Sequence, residues 1–401
     1  MPTDVSHKSV PPLSGVSTTI SKAQPLSLPA ILRSLLGTSQ NVSDVIFSPG
    51  RLPQVELAGR LVQGRLPGLV PLTSDDTQRI AAQVMGTNTR ARQTLETEGA
   101  CDVSYGVDGL SRFRVNIFKQ RGSYAIVMRI IPSSIPTFEE LGLPPQLADV
   151  MELKNGIVLV TGPAGAGKSS TLAAFIGRIN EEKAYHIVTI EDPIEFLHGH
   201  NQSTIHQREV HSDTPTFALA LRAALRQAPN VILVGEMRDR ETTEIALEAA
   251  ETGHLVLSSL HTIDASKTVE RITGVFPLED QHLVRLRFSK AFRYVISQRL
   301  IEVKDGTSRV AAFEILKSTV RTREYIQKGE SDGRSLLDAM RDGDLDGMQH
   351  FDAEIEKLIR ARKISVDAGL TYATNPGNLR LQLGDFVEET GTASSSGPFN
   401  A

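Results

Sequence analysis

Residues 161–170 read TGPAGAGKSS, with Gly162, Gly167, Lys168 and Ser169 at the spacing G-x-x-x-x-G-K-[ST]. Glycines at such positions let backbone N–H groups turn inward around phosphate oxygens. A helix opening at the lysine adds its positive end. Lys168 brings a point charge to the β and γ phosphates, and the Ser169 hydroxyl can ligate magnesium. The apolar run Ile157 to Val160 precedes the loop, and SSTLAAFIGRIN, a helical pattern, follows it. That strand–loop–helix setting separates a phosphate cradle from a chance glycine-rich turn. Gly162, Pro163, Ala164, Gly165, Ala166, Gly167, Lys168, Ser169 and Ser170 are therefore expected to wrap a nucleoside triphosphate.

Cleaving the phosphate needs held magnesium, an oriented water and neutralised charge. Three later segments offer suitable groups. VILVGEMRD places Glu236 at the end of an apolar run, where a carboxylate can hold magnesium through water. TIEDPIEF supplies Glu191, Asp192 and Glu195, one of which could serve as general base. An acidic loop facing solvent would read the same way. GHLVLSSLHT puts His254 and His261 at opposite ends of a strand. His261 falls at the carboxyl end, where open α/β sheets collect ligands. His254 could equally hold a hydrogen bond in the core.

These groups require a sheet whose strands end together. From Gly156 onward, GIVLVTG, HIVTIED, VILVGE and HLVLSSLHT alternate with helical stretches. Strands so uniformly apolar belong in a parallel sheet covered on both faces. After about residue 279 the pattern is mostly helical, with one more strand at RVAAFEIL. Upstream, residues 27–133 read as a smaller α+β domain. It has a helix at LPAILRSLLG, two short strands in SDVIFSPGRLPQVELAGRLV, a capped helix at TSDDTQRIAAQVMG and three further strands. Residues 1–26, rich in Ser, Thr and Pro, read as a disordered leader, and 386–401 as a disordered tail. Residues 134–145 form a linker, with a helix expected at QLADVMELKNG. The ATPase-type domain then runs over 146–385.

The 401 residues carry a net charge of -4, which disfavours a general polyanion binder. A single cysteine, Cys101, excludes a disulfide framework and a cysteine-rich zinc module and fits a reducing compartment. No apolar run approaches the roughly 20 residues that span a bilayer. A cytoplasmic location follows, with any membrane role reached through a partner.

In their order, the phosphate loop, TIEDPIEF, ILVGEMRD and GHLVLSSLHT resemble the Walker A, Asp box, Walker B and His box of the type II/type IV secretion ATPase superfamily. Within it, the pattern is similar to the PilT-type twitching-motility proteins, the retraction motors of type IV pili. The resemblance covers about residues 27 to 383. It implies a RecA-like ATPase domain behind a PAS-like N-terminal domain, and ATP with Mg2+ as cofactors. Glu195 matches the general base, Glu236 the magnesium-positioning glutamate, and His261 and His254 the His-box pair. Such proteins work as rings of six, with ATP between the domains of one chain and a neighbour. SRFRVN and MRIIP match the segments that supply arginine fingers, which points to Arg114 and Arg129, with Arg112 the weaker candidate. Arg271, in KTVERI, matches a further arginine. The implied partners are an inner-membrane platform protein of the pilus machine and a PilU-type paralogue, with the ring docked at the pilus base. Ala164, Ala166 and Ser170 depart from the usual Thr, Ser and Thr without removing an essential side chain. Extension and secretion ATPases of the superfamily usually carry a tetracysteine module, which a chain with one cysteine lacks. A nucleic-acid motor would want a basic, aromatic-rich patch. A nucleotide sensor that does not hydrolyse would not need the full set of Lys168, Glu195, Glu236 and His261.

Overall fold

The protein is described from a computed structural model covering residues 27–37, 42–57, 60–64, 70–132, 134–306, 308–384 and 386. The expected leader, and the tail from 387 on, lie outside the described residues. The chain divides into two compact units, Met1–Ser133 and Ser134–Ala401.

The first unit runs α1 (Leu28–Leu36), β1 (Val42–Phe47), β2 (Gln54–Leu57), β3 (Arg60–Gln63), α2 (Ser74–Met85), α3 (Thr89–Glu98), β4 (Ala100–Val107), β5 (Ser111–Gln120) and β6 (Ser123–Ile131). Its six strands form one antiparallel sheet in the order β3-β2-β1-β6-β5-β4. Along β5 the period-two pattern is clear. Phe113, Val115 and Ile117 are fully buried in the core they share with α1, α2 and α3, while Arg114 between them is exposed. α2 begins where its sequence says it should. Thr73 accepts from the Asp76 amide at 3.2 Å and its own amide donates to Asp76 at 2.8 Å, a reciprocal cap.

The second unit opens with a 3-10 helix (Pro145–Glu152), then β7 (Gly156–Thr161), α4 (Lys168–Glu182), β8 (His186–Glu191), β9 (Thr204–Glu209), α5 (Phe217–Ala224), β10 (Val231–Glu236), α6 (Arg240–Glu251), β11 (Leu255–Leu260), α7 (Ala265–Gly274) and α8 (Leu278–Ala291). It closes with β12 (Phe292–Glu302), β13 (Arg309–Lys317), α9 (Val320–Lys328), α10 (Leu336–Arg341), α11 (Phe351–Arg360), α12 (Val366–Tyr372) and α13 (Pro376–Gln382). Seven strands pair in the order β13-β12-β7-β11-β10-β8-β9, all parallel except β12 with β13. β7 and β11 are buried at every position. Ile157 and Leu159 point into a core with α5 to α8, while Val158 and Val160 point into another beneath α4. Both faces are covered, which is why these strands carry no polar alternation.

Several elements differ from the sequence reading. The segment expected as two short strands holds three, because Arg60–Gln63 pairs antiparallel with β2 as β3. α3 had no counterpart in that reading. Residues 145–152 wind as a 3-10 helix rather than an α-helix. The largest difference is β12, an 11-residue strand in a stretch read as helical. Both its faces are covered, Phe292 and Val295 lying in one core and Tyr294 and Ile296 in the other, so its apolar residues show no strand-like alternation to distinguish them from the helix before it.

Candidate active site

β7, β11, β10 and β8 are adjacent and parallel, so their carboxyl ends share one edge of the sheet. Register places Thr161 beside Leu260, and Ser259 beside Glu236. The phosphate loop, the Asp-box turn, Glu236 and His261 are therefore brought together by strand pairing alone. They line one cleft of about 560 Å³.

The loop leaves β7 at Gly162, whose φ of 146° belongs to glycine. A Cβ there would stand 2.5 Å from the Gln298 carbonyl oxygen. Gly167, in the left-handed region, turns the chain into α4. Leu172, Phe175, Ile176 and Ile179 recur at helical spacing and bury that helix on the sheet, which fixes where its first turn stands. Lys168, at the start of that turn, donates to the carbonyls of Gly162 and Pro163, each at 3.0 Å, and its Nζ lies 3.3 Å from His261 Nδ1. Burial pulls its ammonium below the usual lysine range, and Glu236 and Glu195 pull it back up. Ser169 and Ser170 follow it along the cleft wall.

Glu236 Oε2 receives Arg238 Nε at 2.7 Å and lies 3.5 Å from His261 Nε2. His261 thus stands between the loop lysine and the strand-end carboxylate. Ser169 and Glu236 face the same cleft, and a hydroxyl with a carboxylate is the hard oxygen donor set that magnesium accepts beside phosphate oxygens. In the Asp-box turn the carboxylates separate by environment. Glu191 is held inward by Thr189 Oγ1 at 2.7 Å and Gln207 Nε2 at 3.1 Å, and burial raises its pKa. Glu195 is exposed at the cleft, with its backbone amide 3.5 Å from Glu191 Oε2. Asp192 is exposed on the same wall. Burial depresses the nearby His198 to about 4, so it presents a neutral ring.

Other expected residues lie elsewhere. His254 precedes β11 at its amino end, and its Nδ1 meets the Ala249 carbonyl at 2.9 Å. Seven residue steps along β11 separate it from His261, roughly 23 Å at the usual rise. It closes the end of α6 and is not part of the cleft. Arg271 is exposed on α7 and does not line the cleft either. Arg114 and Arg129 belong to the first unit, directly opposite each other across β5 and β6. Arg129 Nε reaches Asp44 Oδ1 at 3.0 Å, whereas Arg114 has no ion pair with any described residue. Arg112 is two residues before Arg114 and half-buried.

Gln298 had not been singled out. Fully buried on β12, it donates to the Ala166 carbonyl and accepts from Thr171 Oγ1 at 3.0 Å, clamping the loop to α4. Losing it would strand a carbonyl and a hydroxyl, at about 1–3 kcal/mol each. Its neighbour Arg299 leaves the other face, stacks over the Phe351 ring 3.7 Å from its centroid and donates to the Tyr372 carbonyl. The signal for both was SQRL, which carries meaning only once β12 is seen to lie beside β7.

The geometry is matched by kinship. The type II/IV secretion system protein family matches residues 77–371. The chain is 42% identical over 339 residues, 84% of its own length and 96% of the relative's, to the "Type IV pilus retractation ATPase PilT" of Pseudomonas aeruginosa. It is 37% identical over 341 residues, 85% of its length and 87% of the relative's, to "Type IV pilus ATPase PilU" of the same organism. A crystal structure of the pilus retraction motor PilT with bound ADP superposes with a TM-score of 0.78 at 41% identity, over 89% of this chain and all of that one. With a family match across most of its length and relatives this similar end to end, the chain belongs to the type II/IV secretion system protein family.

Proposed function

We propose that this chain is an ATP-hydrolysing motor that drives type IV pilus retraction. The observation that carries the reading is the convergence of Lys168, Glu195, Glu236 and His261 on one cleft at the carboxyl edge of a parallel sheet. Loop amides and the Lys168 ammonium hold the triphosphate, with the first turn of α4 adding its positive end. Ser169 and Glu236 would hold magnesium, which would supply charge neutralisation at the phosphates. Glu195, at the mouth and free of the ties that hold Glu191, takes the proton of the attacking water. His261 reads the γ-phosphate end from its place between Lys168 and Glu236. Arg114 and Arg129 complete the charge set from a neighbouring copy in a ring of six, so hydrolysis depends on assembly. Closing and release of successive interfaces would turn a platform protein at the membrane and let pilin leave the pilus base. Among the described residues no helix is long and apolar enough to cross a membrane, so contact with the membrane is assigned to the platform. The identity to a retraction ATPase over nearly all of that protein favours retraction, and a PilU-type relative is the natural paralogous partner.

The test is steady-state ATP hydrolysis against protein concentration, with mass measured in parallel, for the wild type and Glu195→Gln. Activity per chain should rise as hexamers form. The variant should bind ATP normally and turn over about 10²–10⁴-fold more slowly. Flat activity in a monomer would remove the shared site. Direction is read in cells lacking this chain. Assembled pili without twitching support retraction, whereas absent pili support extension.

A further inference from the structure

Glu314 is a carboxylate that the hydrolytic scheme leaves unused. It lies on β13, only 2% exposed, with Phe313, Ile315 and Leu316 fully or almost fully buried around it. A charge buried there is costly unless hydrogen bonds compensate. Glu314 Oε1 accepts from the Ala265 amide at 2.8 Å and from Ser297 Oγ at 3.2 Å. The Ala265 amide opens α7, and amides of a first helical turn have no partner within the helix. Asp264 caps the same turn through the Lys267 amide at 2.7 Å.

What precedes α7 gives this contact its consequence. Residues 261–264 join β11 to α7, and His261 begins that segment. Thr262 Oγ1 meets Thr268 Oγ1 at 2.6 Å, and Thr268 Oγ1 donates to the Asp264 carbonyl at 2.7 Å. The segment is thus folded against the first turn of α7, and that turn is fastened to the sheet by Glu314. A second connection runs across the sheet. Thr161, Ser297 and Glu314 are register neighbours on β7, β12 and β13. Thr161 Oγ1 is buried in this row with no hydrogen-bond partner among the described residues. The residue holding the start of α7 is therefore joined, through Ser297, to the strand that feeds the phosphate loop.

We propose that Glu314 is a positioning residue for His261: by anchoring the Ala265 amide it sets where the 261–264 segment holds the imidazole between Lys168 and Glu236. The proposal rests on the reading of the cleft as an ATP-hydrolysing site. Ionised groups facing Glu314 are Asp264 from the segment that caps α7 and Arg299 from β12, and Arg299 is itself shared with Asp352 of α11. Burial, with Asp264 adding to it, raises Glu314 to about 7, opposed by its hydrogen bonds and by Arg299.

The experiment measures kcat and KM for ATP, together with binding of a fluorescent ATP analogue, in wild type, Glu314→Ala, Glu314→Gln and Ala265→Pro. Glutamine keeps an acceptor for the Ala265 amide. Proline at the first helical position keeps the helix, and its ring Cδ takes the place of the amide hydrogen and pushes the Glu314 carboxylate off the turn. Asp264, extended at φ -160° and ψ 175°, accepts a following proline. The expected result is a kcat about tenfold to a hundredfold lower in Glu314→Ala and Ala265→Pro, as for other small displacements of a reacting group. Analogue affinity should stay within about twofold, and Glu314→Gln should restore most of kcat. Wild-type kcat in a folded Glu314→Ala, or in Ala265→Pro, overturns the proposal, as does a loss confined to KM. If Glu314→Ala does not fold, Ala265→Pro decides alone. A wild type that hydrolyses no ATP sinks the reading of the cleft and the proposal with it. An active wild type with indifferent variants sinks the proposal alone.

Discussion

The two sheets of this chain place their polar side chains in different ways. In the seven-stranded sheet β7 and β11 are buried on both faces, and the reactive groups stand where four parallel strands end. In the six-stranded antiparallel sheet the polar groups lie on a face, between buried residues, as Arg114 does between Phe113 and Val115. A parallel edge concentrates unlike side chains into a three-dimensional cleft within one chain. An antiparallel face spreads them in a plane, which suits presentation to another molecule. The Arg114–Arg129 pair sharpens the point. Like charges directly opposite on a sheet are unfavourable, and Asp44 answers only Arg129.

The comparison is tested hardest by that pair. Arg114→Ala and Arg129→Ala should each lower kcat by about 10³-fold or more, the scale of an arginine finger, with ATP affinity kept. Equal mixtures of Arg114→Ala and Glu195→Gln chains should regain part of the activity, because some interfaces then receive one intact half from each. Losses below about tenfold for both substitutions would make the antiparallel face structural.

A smaller effect concerns stability within the parallel sheet. Glu314 is raised from 4.5 to about 7, so the folded chain keeps a proton that the unfolded chain releases between those values. Stability contributed by this group is therefore present at low pH, falls as pH rises from about 4.5 to about 7, and stays level above. The full swing is roughly 3 kcal/mol for a shift of this size. Glu314→Gln should flatten that stretch of a chemical-denaturation profile. An unchanged profile would mean the carboxylate ionises normally despite its burial.

The smallest effect is expected at the opposite edge of the same sheet. His254→Ala should leave kcat within about twofold and cost about 0.5–1.5 kcal/mol of stability, one hydrogen bond's worth. A kcat loss beyond tenfold with unchanged stability would show that the amino edge takes part in turnover after all.

Legibility in the sequence followed the same division. The phosphate loop, Glu195, Glu236 and His261 sit in short motifs whose spacing is set by local structure, strand then turn, so the order of the motifs nearly prescribes the cleft. Gln298 escaped because its work is non-local. Its partners Ala166 and Thr171 are more than 120 residues away in sequence, and nothing near SQRL announces them. β12 escaped for a related reason, since a strand buried on both faces reads like a buried helix until its neighbours are known. His254 was drawn toward the cleft by its motif, although a strand's length separates its two histidines. In the first unit β3 and α3 were missed, the first because it is only four residues long and the second because it is largely polar, while the buried alternation of β5 was plain.

β12 also has a mechanical meaning. Gln298 grips the phosphate loop on one face, and the next residue, Arg299, grips Phe351 and Tyr372 on the other. Successive Cα atoms are 3.8 Å apart across a planar peptide that resists twisting. The strand is also stitched to β7 and β13, so it has little compliance of its own. The phosphate loop and the α11–α12 pair thus hang from adjacent residues of one strand that the sheet holds rigid, a single mount for both.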